Sequence, residues 1–248
     1  MARILVTGAS SGLGAEMARQ FASAGHDVAL CARRADRLAA LRREILATHP
    51  ARTVAVRALD VDDHDDVFVA FRELSDELGG LDRVVVNAGL GKGAPVGTGR
   101  FDVNLQTLTT NLVSGLAQCE AAMELFRAAG RGHLVVVSSV SALRGMPGTM
   151  TAYAASKSGL ASIAEGLRSE LIGTDIAVTT LFPGYIESDM SDRKAGRTPL
   201  MATTTDGVRS MVAAIEREAS TAVVPAWPWR PLSLVVRLAP LGVLRRLM

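Results

Sequence analysis

Two residues of one short segment could move a proton together. Tyr153 and Lys157, in the run Tyr-Ala-Ala-Ser-Lys, stand four positions apart at the start of a helical pattern of apolar residues. Both side chains would therefore lie on one helix face. A free phenol has a pKa near 10 and carries protons poorly at neutral pH. A neighbouring ammonium favours the phenolate, so we expect Lys157 to lower the pKa of Tyr153 and to make the pair a general acid and base.

The spacing alone is weak evidence, because many helices place a tyrosine and a lysine four residues apart on a solvated face. The catalytic interpretation therefore depends on the elements around the pair. These elements have to bind a molecule that reacts next to the phenol.

The N-terminal residues predict a phosphate-binding turn. A short apolar run over 2–7 is followed by Gly-Ala-Ser-Ser-Gly-Leu-Gly at 8–14 and then by a helical pattern. In this context Gly8 permits a tight turn, Gly12 lets the backbone approach a pyrophosphate, and Gly14 lets the helix pack near the strand. The free N–H groups of the helix would then face the anion. The alternative is a flexible Gly/Ser turn. The candidate residues of this turn are Gly8, Ser10, Ser11, Gly12, Leu13 and Gly14.

The end of the second apolar run indicates which dinucleotide would bind. In such folds an acidic residue at this point binds the ribose 2′-hydroxyl, whereas arginine suits a 2′-phosphate. Here Ala32 occupies the position of the acid, and Arg33 and Arg34 follow it. A guanidinium can hold a phosphate bidentately. We therefore predict NADP(H), with two arginines of a solvated helix as the alternative.

Together these motifs resemble the short-chain dehydrogenase/reductase family, in its NADP-preferring form, over about residues 2–225. Each motif is common by itself, but all of them occur in the family's order and at roughly its spacing. They are Thr-Gly-Ala-Ser-Ser-Gly-Leu-Gly at 7–14, Leu-Asp-Val at 59–61, Asn-Ala-Gly at 87–89, Asn111, Ser-Ser at 138–139, Tyr-Ala-Ala-Ser-Lys at 153–157 and Pro-Gly-Tyr-Ile-Glu-Ser at 183–188.

The resemblance implies a role for each matching catalytic residue. Tyr153 would be the general acid in carbonyl reduction and the base in alcohol oxidation. Lys157 would lower its pKa and hold the ribose hydroxyls, Ser139 would hydrogen-bond the substrate oxygen, and Asn111 would hold a water of the proton relay.

The resemblance also implies a set of cofactor contacts. Asp60 would contact the adenine amino group, and Asn87 would steady the central strand beside the cofactor. The remaining matching positions would border the dinucleotide, and they are Val61, Ala88, Gly89, Pro183, Gly184, Ile186 and Ser188. Ser188 stands where threonine is commoner and keeps the hydroxyl.

The chain departs from the family pattern at two points. Ser139 and Tyr153 are fourteen residues apart, one more than expected, and we place the extra residue within 147–151. Ser138 is the alternative to Ser139, but its side chain should point to the opposite face of the strand. Ser11 stands where NADP-dependent relatives often carry a basic residue, which leaves more of the 2′-phosphate charge to Arg33 and Arg34.

Alternation of strand and helix patterns predicts an α/β fold in one domain, a doubly wound parallel sheet of Rossmann type with helices on both faces. Valine-rich runs are typical of strands buried on both sides. We expect strands near 3–7, 28–32, 53–58, 82–87, 133–138, 176–182 and 221–225. We expect helices near 12–24, 35–48, 64–78, 103–129, 152–172 and 205–218.

Composition limits the function classes. The formal net charge of 248 residues is +2, so no nucleic-acid partner is expected. Two cysteines in apolar settings and four scattered histidines indicate no metal site. The apolar strand starts almost at once, so we expect no signal peptide and a cytoplasmic protein.

The C-terminal segment 226–248 is distinct from the domain at 1–225. It carries both tryptophans and four arginines, and the chain has no acidic residue after Glu218. Prolines and arginines interrupt it, so we do not expect it to span a membrane. It could pack on the domain over the substrate crevice, pack on another subunit, or lie at a membrane surface.

Methionines in two loops suggest an apolar substrate, since methionine adapts to irregular apolar ligands. Leu143, Met146 and Met150 follow Ser139, while Met190 and Met201 lie in a predicted lid over 185–205. We expect a lipid-, steroid- or polyketide-like ketone or alcohol; the alternative is methionines that pack a loop core.

Two other functions remain open. One is a 3-oxoacyl-carrier-protein reductase, and the other is a regulatory protein that binds NADP without turnover. The second is disfavoured because the tyrosine, lysine and serine positions are all filled. By resemblance, helices near 103–129 and 152–172 would form a homodimer or homotetramer.

Overall fold

The computed structural model of the chain describes residues 1–187 and 200–243. Seven parallel strands of these residues form one sheet. In chain order they are β1 (Arg3–Thr7), β2 (Asp27–Ala32), β3 (Val54–Ala58), β4 (Arg83–Val86), β5 (Arg131–Val137), β6 (Asp175–Pro183) and β7 (Thr221–Val224). Across the sheet the order is β3-β2-β1-β4-β5-β6-β7. The predicted doubly wound α/β fold is confirmed.

The helices connect these strands and cover both faces of the sheet. They are α1 (Gly12–Ser23), α2 (Ala35–Thr48), α3 (His64–Leu78), α4 (Phe101–Leu108), α5 (Ser114–Ala129), α6 (Thr151–Glu170), α7 (Thr204–Glu216) and α8 (Ala226–Leu238). A π-helical segment (Thr109–Val113) joins α4 to α5, and 3₁₀ turns at Val140–Leu143 and Gly148–Met150 precede α6.

The order of the strands reverses at the pairing of β1 with β4. In this pairing Ile4 faces Arg83, Leu5 faces Val84, and Val6 lies opposite Val85. The connections leave in opposite directions on the two sides of this point. A crevice therefore opens at the carboxyl ends of the strands, which is where ligands bind in such sheets.

Alternating side chains of the strands build one apolar layer on each face. Ile4 and Val6 pack with Phe21 of α1, whereas Leu5 packs with Phe71 of α3 and Phe126 of α5 in the other layer. None of these side chains is exposed to solvent. The two layers hold the sheet rigid, so its carboxyl edge is a fixed platform.

Two boundaries differ from the sequence prediction. The helix expected over 103–129 is interrupted by the π-helical segment, in which the polar residues Thr110 and Asn111 are buried. The segment 226–248 contains a helix, α8, whose Pro231 lies inside it. The other elements begin and end within a few residues of their predicted bounds.

Candidate functional site

The glycine turn lies between β1 and α1 and is packed too tightly for side chains. Gly8 has a φ of +66°, and a Cβ there would come within 2.9 Å of the Ala88 Cα. A Cβ on Gly14 would come within 2.5 Å of the Gly8 carbonyl oxygen. The turn therefore needs glycine at both positions. It points the N-terminus of α1 into the crevice.

Thr7 and Asn87 join the ends of β1 and β4 across the crevice. Asn87 Nδ2 donates to the Thr7 carbonyl at 2.9 Å. The Thr7 hydroxyl accepts from the backbone N–H groups of Asn87 and Ala88, each at 3.0 Å. Thr7 is fully buried. No role was predicted for Thr7, and the only signal in the sequence is that it is the first residue of the glycine motif at 7–14.

Arginines at the end of β2 border the other side of the glycine turn. Arg34 Nη2 donates to the hydroxyls of Ser10 at 2.9 Å and Ser11 at 2.6 Å. Arg33 reaches towards Asp60, with Nη1 at 4.0 Å from Oδ2. The predicted residues after β1, β2 and β3 thus meet at one end of the crevice, where two guanidinium groups, two serine hydroxyls and the Asp60 carboxylate lie together.

Asn111 lies in the π-helical segment and is fully buried. Its Oδ1 accepts from the Leu90 N–H at 2.6 Å, and its Nδ2 donates to the Leu90 carbonyl at 2.9 Å and to Ser156 Oγ at 3.1 Å. A Cβ on Gly89 would lie 2.9 Å from Asn111 Oδ1 and 3.3 Å from Lys157 Nζ. Asn111 is therefore a neighbour of Lys157, behind the cavity wall.

A polar cluster that sequence reasoning missed holds the π-helical segment. Asp62 accepts from Thr110 Oγ1 and from Ser114 Oγ, each at 2.7 Å. Ser114 Oγ also lies 3.1 Å from His64 Nε2. These contacts tie the segment after β3 to the turns that flank Asn111. No local pattern pairs residues about fifty positions apart, so the sequence gives no signal for this cluster.

Tyr153 projects from the first turn of α6 into the cavity. Burial raises the pKa of its phenol, a hydrogen bond with the Ser139 side chain acts in the opposite direction, and the Tyr185 hydroxyl raises it further. The predicted lowering of the Tyr153 pKa by Lys157 is wrong for this structure. The cause is desolvation, which disfavours the phenolate.

Lys157 is almost fully buried one helical turn after Tyr153. Its Nζ donates to the Val137 carbonyl at 2.9 Å. Burial lowers the pKa of Lys157 to about 8. The hydrogen bond to Val137 at the end of β5 thus holds the ammonium beside Asn111 and Gly89.

The two serines after β5 point to different places. Ser138 Oγ donates to the Lys157 carbonyl at 2.8 Å and is buried. Ser139 accepts from the Ser141 N–H at 3.2 Å and lies beside the Tyr153 phenol. Ser139, rather than Ser138, is thus placed to share a substrate oxygen with Tyr153.

The end of β6 forms the opposite border of the cavity, and α8 supports it. The Trp229 indole lies so close to Gly184 that a Cβ there would be 2.3 Å from its ring. The same indole meets the Tyr185 ring edge-on, with centroids 5.0 Å apart. Beyond them, Ile186 pairs with Ala202 in a β-bridge. Ser188 and Met190 lie outside the described residues.

One cavity of about 570 Å³ brings most of the predicted residues together. Met150 and Met201 line it, whereas Leu143 and Met146, also expected there, are not part of its described lining. Asn111 lies behind the wall. The predicted site residues that line it are Gly8, Ser10, Ser11, Gly12, Leu13, Gly14, Arg33, Arg34, Asp60, Val61, Asn87, Ala88, Gly89, Ser139, Tyr153, Lys157, Pro183, Gly184 and Ile186.

This fold and this cavity define a class of α/β oxidoreductase that binds a nicotinamide dinucleotide. The sequence model of the short chain dehydrogenase family matches residues 2–198. The chain belongs to this family, as the sequence motifs predicted, and it is an enzyme that acts on alcohols or ketones.

Related sequences cover nearly the whole chain. An uncharacterized oxidoreductase of Mycobacterium tuberculosis (strain H37Rv) is 52% identical over 244 residues, which is 98% of this chain and 96% of the relative. An uncharacterized oxidoreductase of Myxococcus xanthus is 36% identical over 95% of this chain and 90% of its own length. The dehydrogenase/reductase SDR family member 7B of Bos taurus is 34% identical over 82% of this chain and 61% of its own length.

Solved structures share the fold. A short-chain dehydrogenase from Sphingobium yanoikuyae in complex with NADPH has a TM-score of 0.83 at 23% identity, covering 100% of this chain and 95% of its own. A short-chain dehydrogenase/reductase from Burkholderia phymatum in complex with NAD has a TM-score of 0.82 at 20% identity, covering 94% and 92%.

Proposed function

We propose that the chain is an NADP(H)-dependent oxidoreductase that interconverts a hydrophobic ketone and its secondary alcohol, with Tyr153 as the general acid and base. The observation that carries the proposal is the meeting of Tyr153, Ser139 and Lys157 in the same cavity as the glycine turn. A proton donor and a phosphate-binding turn at the two ends of one cleft are what reduction by a bound dinucleotide requires.

The residues present fit a dinucleotide. The glycine turn lines the cavity, so its backbone is open to a pyrophosphate, and the N–H groups of α1 would bind it. Asp60 would contact the adenine, with Val61 beside it. Ala88 and Gly89 would lie along the dinucleotide, and Lys157 would hold the ribose hydroxyls.

The arginines after β2 favour NADP(H) over NAD(H). Ala32 offers no carboxylate for a ribose 2′-hydroxyl, and Arg34 already shares its guanidinium with the hydroxyls of Ser10 and Ser11. These groups together form a binding surface for a 2′-phosphate. The NADPH complex of the Sphingobium yanoikuyae dehydrogenase is consistent with this choice, and the Burkholderia phymatum NAD complex is a reason to test it.

The proton step follows from the environment of the phenol. When bound, NADPH would supply a hydride to the carbonyl carbon. Because burial raises the pKa of Tyr153, the phenol is protonated at neutral pH. It would donate this proton to the carbonyl oxygen, which becomes strongly basic as the hydride reaches the carbon. Ser139 would hydrogen-bond the same oxygen. A proton from solvent would return to the phenolate through the Lys157 ammonium and a water held by Asn111.

The substrate end of the cavity supports an apolar ligand. Met150, Met201 and Tyr185 line it, and Trp229 backs the wall at Gly184. Flexible thioethers and aromatic rings contact irregular apolar molecules well. Ser139 and Ser141 supply hydroxyl groups near the reacting carbonyl. We therefore infer a lipid-, steroid- or polyketide-like substrate.

The exposed apolar residues of α4 and α5 support a homodimer or homotetramer. Phe101 is 73% exposed, and Leu105 and Leu116 are also exposed. Such residues on neighbouring helices favour association with another copy. We also propose that residues 1–225 form the dinucleotide-binding domain and that α8 packs on it.

A substrate panel tests the proposed function. The purified protein is mixed with NADPH or NADH and with ketones that range from long-chain and steroid ketones to small polyhydroxylated ketones, and loss of the reduced nicotinamide absorbance is followed. We expect oxidation of NADPH with apolar ketones and much weaker use of NADH. Activity confined to small polar ketones would contradict the apolar substrate, and absence of NADPH binding would contradict the function itself.

A further inference from the structure

The outer face of α8 exposes an unusual amount of apolar surface. Leu238 is 82% exposed, Leu234 58% and Val235 49%. Leu234 and Leu238 are one helical turn apart and therefore share a face. Trp227, whose extended backbone kinks the start of α8, is 80% exposed, and Leu241, just beyond the end of α8, is also exposed. We call Trp227, Leu234, Val235, Leu238 and Leu241 the α8 face.

The charge beside the α8 face is positive. Arg230 and Arg237 are exposed and seven positions apart, so they lie on one side of the helix. The last 30 residues of the chain hold four arginines and no acidic residue. The summed charge of these arginines exceeds the formal net charge of the whole chain, which is +2.

The inner face of α8 is fixed to the border of the cleft. Trp229 is buried against Gly184 and Tyr185, which line the cavity. At the other end of the helix, the Arg144 guanidinium donates to the carbonyls of Arg237 and Ala239. Arg144 follows the 3₁₀ turn that begins after Ser139. The α8 face is therefore held next to the substrate end of the cleft.

We propose that the α8 face docks on an anionic lipid surface. An interfacial helix combines an apolar stripe with flanking cations and an aromatic residue near its end, and α8 has all three. Its arginines complement lipid phosphates and acidic headgroups. Within the described residues, none of the helices has the length and apolar character needed to cross a bilayer, so the contact is peripheral.

A second copy of the chain is a poorer occupant of this face. In a twofold-symmetric contact each subunit presents the same residues to the other. The arginines of one subunit would then lie against the arginine-bearing face of the other, and the segment has no acidic residue to pair with them. Like charges at close range destabilise such a contact.

Docking would place the mouth of the cleft at the lipid surface. If the substrate is the apolar ketone proposed above, it could pass from the bilayer to Tyr153 without crossing water. Only this consequence rests on the proposed function. Vesicle binding is measured without substrate, so its failure would leave the reductase proposal intact.

Vesicle flotation tests the docking. The full chain is mixed with vesicles of phosphatidylcholine, with and without phosphatidylglycerol. We expect binding that requires phosphatidylglycerol and weakens with salt. The double variant Leu234→Ser/Leu238→Ser should bind at least about tenfold more weakly. Arg237→Gln should bind about fivefold more weakly. Ile172→Ser is the matched control, because Ile172 is 80% exposed in another part of the molecule, and it should bind like the unchanged protein.

Tryptophan fluorescence provides a second readout. The chain has two tryptophans, of which Trp227 is exposed and Trp229 is buried. Anionic vesicles should shift the emission to shorter wavelength in the unchanged protein and in Trp229→Phe, but not in Trp227→Phe. Vesicle binding that the Leu234/Leu238 double variant retains would overturn the proposal. A change of oligomeric state in that variant, measured by light scattering, would overturn it in favour of a second copy.

Discussion

The two ends of the cleft are built in different ways. At the nucleotide end, backbone packs on backbone, as where Gly14 leaves no room beside the Gly8 carbonyl. At the substrate end the wall is made of side chains from distant parts of the chain, among them Met150, Tyr185 and Met201. A wall of backbone tolerates few changes, whereas a wall of side chains can be reshaped. We therefore expect substitutions to be tolerated less well at the nucleotide end than at the substrate end.

The largest expected effect is a loss of stability when the support of the substrate end is removed. Trp229→Ala removes a large buried ring that packs on Gly184, and we expect a loss of about 4 kcal/mol in the free energy of unfolding. In folded protein at low temperature, KM for an apolar ketone should change while the Kd for NADPH stays the same. Chemical unfolding and isothermal titration measure the two quantities. A change in NADPH affinity as large as that in KM would break the distinction between the two ends.

The second substitution is made at the nucleotide end and should affect cofactor binding. Gly14→Ala places a Cβ within 2.5 Å of the Gly8 carbonyl and 2.8 Å of Asn87 Nδ2, so the turn has to move. We expect the Kd for NADPH to rise about 100-fold, about 2.7 kcal/mol, as measured by fluorescence titration. Gly166→Ala is the control, since a Cβ there meets nothing within 4 Å. This control should bind NADPH normally and gain about 0.5–1 kcal/mol of stability.

The two arginines after β2 separate the contribution of the 2′-phosphate to cofactor affinity from that of the rest of the dinucleotide. Arg34→Ala removes a cation from the Ser10 and Ser11 hydroxyls, and Arg33→Ala removes its neighbour. Each should raise the Kd for NADPH about tenfold, since a hydrogen bond to a charged group contributes about 1.5–3 kcal/mol. The Kd for NADH should change little. Equal losses for both dinucleotides would contradict a 2′-phosphate site.

The last effect is the pH dependence of the free energy of unfolding caused by Lys157, which is small at each step of pH. Its pKa is lowered by burial to about 8 in the folded protein, against about 10.4 for an unfolded lysine. Between these values the unfolded chain binds more protons, so stability should rise with pH, by up to about 1.4 kcal/mol per pH unit. The difference between the unchanged protein and Lys157→Met in urea unfolding measures this slope. A difference that does not vary between pH 8 and 10 would contradict the buried lysine.

The difference between the two ends of the cleft also explains which features the sequence could predict. The glycine turn follows local rules that link residue type to backbone conformation, so the sequence predicted it, whereas Asn87 was predicted from the resemblance to the family. The strands were found because residues buried on both faces form continuous apolar runs, as at Val84–Val86. These features depend on neighbours in the sequence.

The features that the sequence missed depend on contacts between distant residues. The Asp62 cluster joins residues about fifty positions apart, and the Trp229 contact with Gly184 spans a similar distance. Packing over the crevice was one of three alternatives for the C-terminal segment. The wrong direction of the Tyr153 pKa has a related cause, since the sequence shows a neighbouring charge but not the desolvation that outweighs it.

The most direct test of the account is the rate of hydride transfer in Tyr153→Phe. A single turnover with NADPH and an apolar ketone, followed by stopped-flow absorbance, isolates the chemical step. We expect a loss of about 100-fold or more, with the Kd for NADPH unchanged. Tyr185→Phe is the matched control, because Tyr185 is the other tyrosine of the chain and also lines the cavity; it should keep most of the rate. Transfer in Tyr153→Phe at the rate of the unchanged protein would contradict the role of the phenol.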